Sequence, residues 1–178
     1  MAEAFSNSVT RAAGIVSTSS AGAVGILTNL ITGISTVDVA VNDLVDSTQF
    51  ILGTKVSSVG ASQVVCDRDS TNTSATTNQS VKFLGPTTAY TSTGTKSILV
   101  GGTFANNTGS SVNLTVQIYD SSGTSEVGLA ANIPVPNGSS FVITDTGKTV
   151  LESSDELRVY CDTANAIDAT ISLLTGVS

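Results

Sequence analysis

Apolar and polar residues alternate most regularly in the stretch Thr149–Leu174. Leu157, Val159 and Cys161 are separated by charged or polar residues, and the apolar positions of Ile167–Leu173 are separated in the same way. A period of two is typical of strands that bury one face and expose the other. The stretch therefore predicts a hairpin of two strands joined by a polar turn.

Short apolar or β-branched segments, separated by Gly, Pro, Asn, Asp and Ser, recur along the rest of the chain. Frequent turns of this kind favour an antiparallel sandwich or jelly roll, and no segment offers the crossover helices that a parallel sheet needs. The predicted strands are Ile26–Ile34, Leu44–Val45, Phe50–Ile51, Lys55–Val59, Gln63–Asp67, Ser80–Leu84, Thr87–Thr91, Lys96–Asn106, Val112–Tyr119, Glu126–Ile133, Ser140–Thr144, Val150–Leu151, Leu157–Cys161 and Ile167–Leu174.

Gly85-Pro86 is the clearest boundary, because proline disfavours helix at the residue before it and cannot donate to a strand ladder. We expect residues 86–178 to form an antiparallel sandwich or jelly-roll-like domain, and residues 21–85 to form a small barrel-like or sandwich-like module. Residues 1–20 show no lasting periodicity and are expected to form an N-terminal docking arm. The predicted fold class is all-β, with two β units and little or no helix.

The first twenty residues carry a few apolar side chains and a single base. A terminal segment becomes ordered only when it docks. It can pair with a sheet of its own chain or add a strand to a neighbour's sheet. We predict that Phe5, Val9, Arg11 and Ile15 make the contacts with a partner.

Composition and net charge limit what the core can contain and which partners the chain can bind. Of 178 residues, 40% are hydrophobic, 4% are aromatic and 12% are charged, so the core is expected to consist of Val, Ile, Leu and Ala. The formal net charge is −7, from 7 Lys and Arg against 14 Asp and Glu. An acidic chain has too few cations to replace the counterions of a phosphate backbone or to bind an anionic membrane. Neither nucleic acid nor membrane is therefore an expected partner.

The first residues do not resemble a signal peptide, because Glu3 is acidic and no apolar core follows it. The most apolar segment, Ala21–Ile34, is broken by polar residues and is too short to span a bilayer. We therefore expect a soluble protein made in the cytosol. In that compartment Cys66 and Cys161 are expected to be buried thiols, with a disulfide as the less favoured alternative.

The sequence has no histidine, which removes Ser-His and Cys-His nucleophile pairs and histidine metal sites. Its glycines match neither GxGxxG nor GxxxxGK[ST]. We therefore predict no catalytic residue, no metal and no cofactor. Asp67 and Asp69 have the spacing of calcium ligands, but Asn72 and Asn78 stand where a calcium loop needs Gly and Glu, so a solvated strand end is favoured.

Two features leave other functions open. Glu152, Asp155 and Glu156 could supply the carboxylate pair of a glycan-cleaving enzyme, although such a pair needs a cleft and one raised pKa. The polar run Asp69–Gln79 is favoured as a mobile surface loop, with contact to a partner or to a host glycan as the alternative. A glycan-binding adhesin module is therefore an alternative function.

Four segments carry a resemblance: SNSVTRAAG (Ser6–Gly14), TTAYTSTGTKSILVGGTFANNT (Thr87–Thr108), IPVPNGSSFVI (Ile133–Ile143) and KTVLESSDELRVYCDTANAIDATISLL (Lys148–Leu174). They resemble a family of small virion structural proteins of tailed bacteriophages, notably those of marine cyanobacterial phages. In that family the strand resembling Ser6–Gly14 runs almost directly into the one resembling Thr87–Thr91. Here Ile15–Pro86 intervenes, and its segment Gly33–Val59 resembles a small β module of phage fibre and coat proteins.

The resemblance implies a non-enzymatic virion protein, in first place a multi-copy capsid decoration or cement protein that attaches through its N-terminal arm and β-sandwich. It implies the major capsid protein or neck and tail proteins as partners, self-association as a trimer or higher homo-oligomer, and assembly in the host cytoplasm. A neck, collar, tail or fibre position is the alternative within that class. The resemblance also implies that residues 21–85 are an inserted module, and that a strand from residues 6–14 completes the sandwich of residues 86–178.

Overall fold

The computed structural model describes residues 3–177, without the side chains of residues 20 and 145–148. This part of the chain forms strands and turns but no helix, and hence no helix that could cross a membrane. The predicted all-β class with little or no helix is confirmed. The strands are β1 (Ala4–Ala13), β2 (Ile15–Val24), β3 (Leu30–Thr32), β4 (Leu44–Asp46), β5 (Val56–Val59), β6 (Gln63–Cys66), β7 (Thr76–Gly85), β8 (Thr87–Thr91), β9 (Lys96–Asn106), β10 (Val112–Asp120), β11 (Ser125–Val135), β12 (Ser140–Leu151), β13 (Glu156–Cys161) and β14 (Ile167–Val177).

The strands belong to two compact units. The first unit consists of the residues up to Gly14 together with those from Pro86 onward, and the second unit is Ile15–Gly85. The first unit contains two four-stranded sheets, sheet I in the order β1-β14-β9-β12 and sheet II in the order β8-β13-β10-β11. The second unit contains the six-stranded sheet III, in the order β4-β7-β2-β3-β6-β5.

Strand pairing in the first unit is nested. The first strand of the unit pairs with the last (β1 with β14), the second with the second last (β8 with β13), and likewise β9 with β12 and β10 with β11, all antiparallel. The chain is thus a long hairpin rolled over on itself, and further pairing of β9 with β14 and of β10 with β13 completes the two sheets. This connectivity is that of a jelly roll.

The chain leaves the first unit at Gly14, which divides the interval 1–20 that the sequence suggested as one arm. β1 lies in sheet I and β2 in sheet III, while residues 1 and 2 lie outside the described residues. Gly14 has φ +126°, and a Cβ there would lie 2.5 Å from the carbonyl oxygen of Thr163. The backbone turns at this position and β1 ends. Only glycine fits this conformation and this close approach.

The points where the chain leaves and re-enters the first unit are neighbours. The Gly14 N–H donates to the Thr87 Oγ1 over 3.2 Å, and the Asn165 N–H donates to the Gly14 carbonyl oxygen over 3.0 Å. Within the second unit, Ile15 is the register partner of Gly85. Both ends of the second unit are therefore adjacent, which is the geometry of an insertion into a jelly roll between its first and second strands.

The core of the first unit lies between sheets I and II. Its members include the inward positions predicted for the closing hairpin, namely Leu157, Val159 and Cys161 on β13 and the odd-numbered residues 167–173 on β14. Phe104 supplies the one fully buried Phe of this core, and its ring stacks on Phe141 with 6.4 Å between centroids. Aliphatic side chains fill the rest, as the low aromatic content predicted.

Sheet III curls towards a barrel, because its end strands β4 and β5 approach each other. A bridge joins Leu44 to Lys55, and the Val45 N–H donates to the Thr54 carbonyl oxygen over 2.8 Å. The predicted barrel-like module is thus confirmed as a curled half-barrel sheet. Its core contains Cys66; neither cysteine forms a disulfide and both are buried, which confirms the prediction of buried thiols.

Two predicted strands of this unit differ from the structure, and one observed strand was not predicted. The strand expected at Ile26–Ile34 shrinks to β3, because Leu27 and Gly33 adopt positive φ angles of 44° and 71° and bend the chain on either side. Phe50–Ile51 is not a strand but lies between two turns, with Phe50 at a bend that buries its side chain in the core. Strand β2 was not predicted, since its serine-rich sequence lacks an apolar alternation.

Candidate docking surface

The residues predicted to contact a partner fall on two strands. Phe5, Val9 and Arg11 lie on β1 in the first unit, and all three are exposed. Ile15 lies on β2 in the second unit, where it is 51% exposed. The structure therefore brings together the first three of these residues, and it separates Ile15 from them by the turn at Gly14.

β1 is an edge strand of sheet I, and its inward side is fixed to the sandwich. The Ser8 Oγ donates a hydrogen bond of 2.8 Å to the Ala89 carbonyl oxygen, and the Thr10 hydroxyl approaches the same oxygen at 3.4 Å. Ala13, at the end of the strand, is completely buried. β1 is thus a structural part of the jelly roll, and its outward side chains are held in place by the strand.

The outward side chains of β1 continue into apolar rows that cross sheet I. Cross-strand partners share a face of the sheet. The register aligns Phe5 with Leu174, Ile98 and Val150 in one row, and Val9 with Thr170, Thr103 and Val142 in another. Phe5 is 82% exposed and Val9 is 75% exposed, while Val142 and Val150 are each nearly half exposed. We call these rows, with the intervening row Asn7, Ser172, Gly101 and Thr144, the outer face of sheet I.

None of the positions in these rows is charged, although the chain as a whole carries −7. Charged groups lie beyond the two outermost rows, further along the strands. At one end are Arg11 and Asp168, whose Oδ1 accepts a hydrogen bond of 2.8 Å from the Ala12 N–H. At the other end the Lys96 ammonium lies 2.9 Å from the Glu152 carboxylate. An uncharged, partly apolar face bordered by charges is typical of a surface that binds another protein.

Sequence reasoning missed the contribution of the central and far strands to this face. Ile98, Val142 and Val150 are apolar residues in the outward phase of their strands, next to core residues such as Leu99 and Leu151. Apolar residues at outward positions break the expected alternation of apolar and polar residues, and that break is the sequence signal that would have marked them. A single exposed valine is common on protein surfaces, however, so the register was needed to show that they form rows.

The three carboxylates considered for catalysis serve different structural roles. Asp155 is buried and accepts hydrogen bonds from the N–H groups of Ser121 and Glu152, at 3.0 and 2.9 Å. It thereby ties two turns at one end of the sandwich. Glu152 pairs with Lys96 at the surface beside a hollow of about 230 Å³. Glu156 binds the guanidinium of Arg158 at 2.7 Å.

Arg158 is the centre of a charged cluster on the outer face of sheet II. Its guanidinium binds the carboxylates of Glu126 and Glu156 and lies 3.9 Å from the centroid of the Tyr119 ring. The Tyr160 hydroxyl donates to the Glu126 carboxylate at 3.2 Å. The Glu126 side chain is 4% exposed and that of Arg158 is 16% exposed. The cluster joins β10, β11 and β13 across sheet II.

The polar run Asp69–Gln79 is more ordered than a mobile loop, because strand β7 begins within it. The Thr71 N–H donates to the Gln49 carbonyl oxygen at 2.9 Å, and the Asn72 amide donates to the Gly25 carbonyl oxygen at 3.4 Å. A hollow of about 400 Å³ nearby is lined by small, aliphatic and threonine residues, without an aromatic or charged side chain. Such a lining offers no stacking platform for a sugar ring.

No group of three or more acidic or cysteine side chains gathers as a possible metal site in the described part of the chain. The Asp67 carboxylate accepts a hydrogen bond of 2.7 Å from the Lys55 N–H, so it closes a strand end. Burial, followed by the charge of Asp67, raises the pKa of the Cys66 thiol to about 12. A thiol with so high a pKa is a poor nucleophile, in keeping with a core role.

Comparison with models of known families, with curated proteins and with solved structures found no match to this chain.

Proposed function

We propose that the protein is a non-enzymatic structural protein of tailed-phage particles, a multi-copy capsid decoration or cement protein that attaches through the outer face of sheet I. The single observation that carries the proposal is the exposure of Phe5 and Val9 on a strand that is paired with β14 and hydrogen-bonded to Ala89. Apolar side chains fixed in this way are costly to leave in water, and they favour burial against a partner.

Two further observations support this function. The jelly-roll connectivity is one that viral coat proteins use, although the fold alone is shared with lectins and other proteins. The segments that resemble virion structural proteins include Ser6–Gly14 and Lys148–Leu174, which contain β1 and most of β14. The major capsid protein is the first candidate partner, and a neck, collar or tail protein is the alternative.

Particle binding tests the proposal directly. A variant with Phe5→Ser and Val9→Ser removes both exposed apolar groups from β1, whereas Val127→Ser removes a valine of similar exposure, 61%, from β11 of sheet II. We expect the double variant to bind particles of the encoding phage about tenfold more weakly or worse, and the control to bind normally. Equal binding of the double variant and the wild type would refute the proposed surface.

Deletion of the first fourteen residues is a poorer test, because β1 is part of the sandwich. Removing it would expose the edge of β14 and leave a gap where Ala13 is buried. Loss of binding would then reflect loss of folding. Immunogold labelling of purified particles complements the point variants, since it distinguishes a capsid position from a neck or tail position and detects absence of the protein from the particle.

A further inference from the structure

The outer edge of β1 is the most open edge of the jelly roll. β1 pairs regularly with β14 from Ala4 to Thr10 and contains neither proline nor lysine. The other three edge strands of the jelly roll are protected. β8 has only five residues and follows Pro86. β11 contains Pro134 and pairs with β10 in an irregular register, and β12 has a register shift after Thr144. An open edge that also carries apolar side chains favours pairing with another strand.

The outward positions at this edge are self-complementary. In chain order they are Glu3, just before the strand, and Phe5, Asn7, Val9 and Arg11 on it, which are acidic, apolar, amide, apolar and basic. All five residues are exposed. When a second copy of this series is turned end for end, base meets acid, apolar meets apolar and amide meets amide.

We propose that β1 of one copy pairs antiparallel with β1 of a second copy across a two-fold axis at Asn7, so that sheet I continues from one protein into the other. In this register Glu3 lies opposite Arg11 of the second copy, and Phe5 lies opposite its Val9. Each pair occurs twice, as in every two-fold interface. The register of β1 with β14 shifts after Thr10, so Arg11 stands where a bulge begins, and the proposed pair with Glu3 requires its long side chain to extend across the interface.

Charge favours a second copy as the occupant of this edge. Two chains of net charge −7 repel each other over most of their surfaces. At the β1 edge the charges that meet are opposite, and the residues between them are uncharged. Paired Phe5 and Val9 side chains also cover part of the apolar surface that each copy exposes alone.

This inference goes beyond the proposed function, because the pairing is a property of the isolated protein. Pairing would turn the outer face of sheet I into one face of eight strands, and a two-fold contact gives a dimer, where the resemblance implies a trimer or higher. Failure of the pairing would leave attachment to particles untouched. Conversely, a dimer that does not bind particles would refute the virion role alone.

Disulfide trapping tests the register. In the proposed pairing the two Asn7 residues face each other, with Cα atoms about 4.5–5.5 Å apart, which lies within the range that a disulfide spans. The native Cys66 and Cys161 are buried, so a new surface cysteine reports alone. We expect Asn7→Cys to form a disulfide-linked dimer under mild oxidation at least about tenfold faster than Asn137→Cys, a control in the exposed turn between β11 and β12.

A charge swap tests the end-for-end complementarity. Glu3→Arg and Arg11→Glu each place like charges opposite one another, so each is expected to raise the dimer Kd about tenfold at low salt. The double variant restores opposite pairs and is expected to recover the wild-type Kd, measured by sedimentation equilibrium. Equal trapping of Asn7→Cys and Asn137→Cys, a double variant as weak as the single ones, or a wild type that stays monomeric at about 100 μM would each overturn the pairing.

Discussion

The Arg158 cluster gives the sharpest test of how the jelly roll is held together. Arg158→Met keeps an aliphatic stem of similar length but removes the guanidinium that lies between Glu126 and Glu156. The Glu126 carboxylate, with its side chain 4% exposed, would then lose the cation that balances its charge. The expected result is a large loss of stability in the first unit.

The size of the loss follows from the burial of the two groups. Removing one member of a buried ion pair costs about 3–5 kcal/mol. The Arg158 side chain is 16% exposed, so water screens the pair partly and the lower end of that range applies. Loss of the contact with the Tyr119 ring adds about 0.5 kcal/mol. We expect a decrease of about 3 kcal/mol in the free energy of unfolding, which lowers the Tm by roughly 10–15 °C.

Urea unfolding followed by circular dichroism measures this change, and a double-mutant cycle assigns it. Glu126→Gln keeps an acceptor for the Tyr160 hydroxyl, and the double variant Arg158→Met with Glu126→Gln leaves no buried charge unbalanced at this pair. We expect the double variant to recover about 2 kcal/mol relative to the sum of the single effects. Lys96→Ala breaks the exposed pair with Glu152 and serves as the control, with an expected change below about 0.5 kcal/mol.

Two outcomes would refute this reasoning. If Arg158→Met costs no more than Lys96→Ala, the cluster does not stabilise sheet II. If the single effects of Arg158→Met and Glu126→Gln simply add, the two groups stabilise the protein independently and the ion pair is not the source.

Three other variants test the remaining structural conclusions. Gly14→Ala places a Cβ against the Thr163 carbonyl oxygen at a positive φ and is expected to destabilise the first unit by about 2–3 kcal/mol in thermal unfolding, whereas Gly109→Ala, with open space around it, is expected to be neutral. Replacing residues 15–85 by Asn-Gly is expected to leave a folded jelly roll with a cooperative transition, since the two ends of the insertion are adjacent. Burial raises the pKa of Asp43 more than the hydrogen bond from Ala40 lowers it, so this carboxyl stabilises the fold at acid pH and loses that contribution as pH rises. Asp43→Asn is therefore expected to raise the Tm of the second unit at about pH 7, with a gain that disappears below about pH 4; a gain that persists in acid would contradict the assignment.

Most strands of the jelly roll were predictable because they obey a local rule; β1 is the exception, since residues 1–20 show no lasting periodicity. The predicted Thr87–Thr91 and Lys96–Asn106 coincide with β8 and β9, since alternation and flanking turn residues define a strand that has one wet face. The nested pairing was not predictable from that rule. Which strand lies beside β14, for example, depends on contacts with β1 at the opposite end of the sequence, and periodicity carries no information about a distant partner.

The second unit was less predictable for a related reason. In Ile15–Val24 the sequence STSSAG occupies the centre of β2, where hydroxyl and small side chains replace the apolar alternation. β2 is nevertheless a central strand of sheet III, between β7 and β3. Its strand conformation is therefore set by backbone pairing on both sides, which tertiary context supplies and local sequence does not show.

The candidate site shows the same division between local and distant information. Phe5 and Val9 were identified from the sequence because they are apolar residues in a polar terminal segment. Their meaning changed once β1 was placed at the edge of sheet I, because a mobile arm would bury them by folding against any surface, whereas a fixed strand presents them in one direction. A fixed apolar row loses less conformational entropy on binding than a mobile arm does. The placement of β1 in the sheet, and not the apolar residues alone, is therefore what favours docking through this face over docking through a flexible tail.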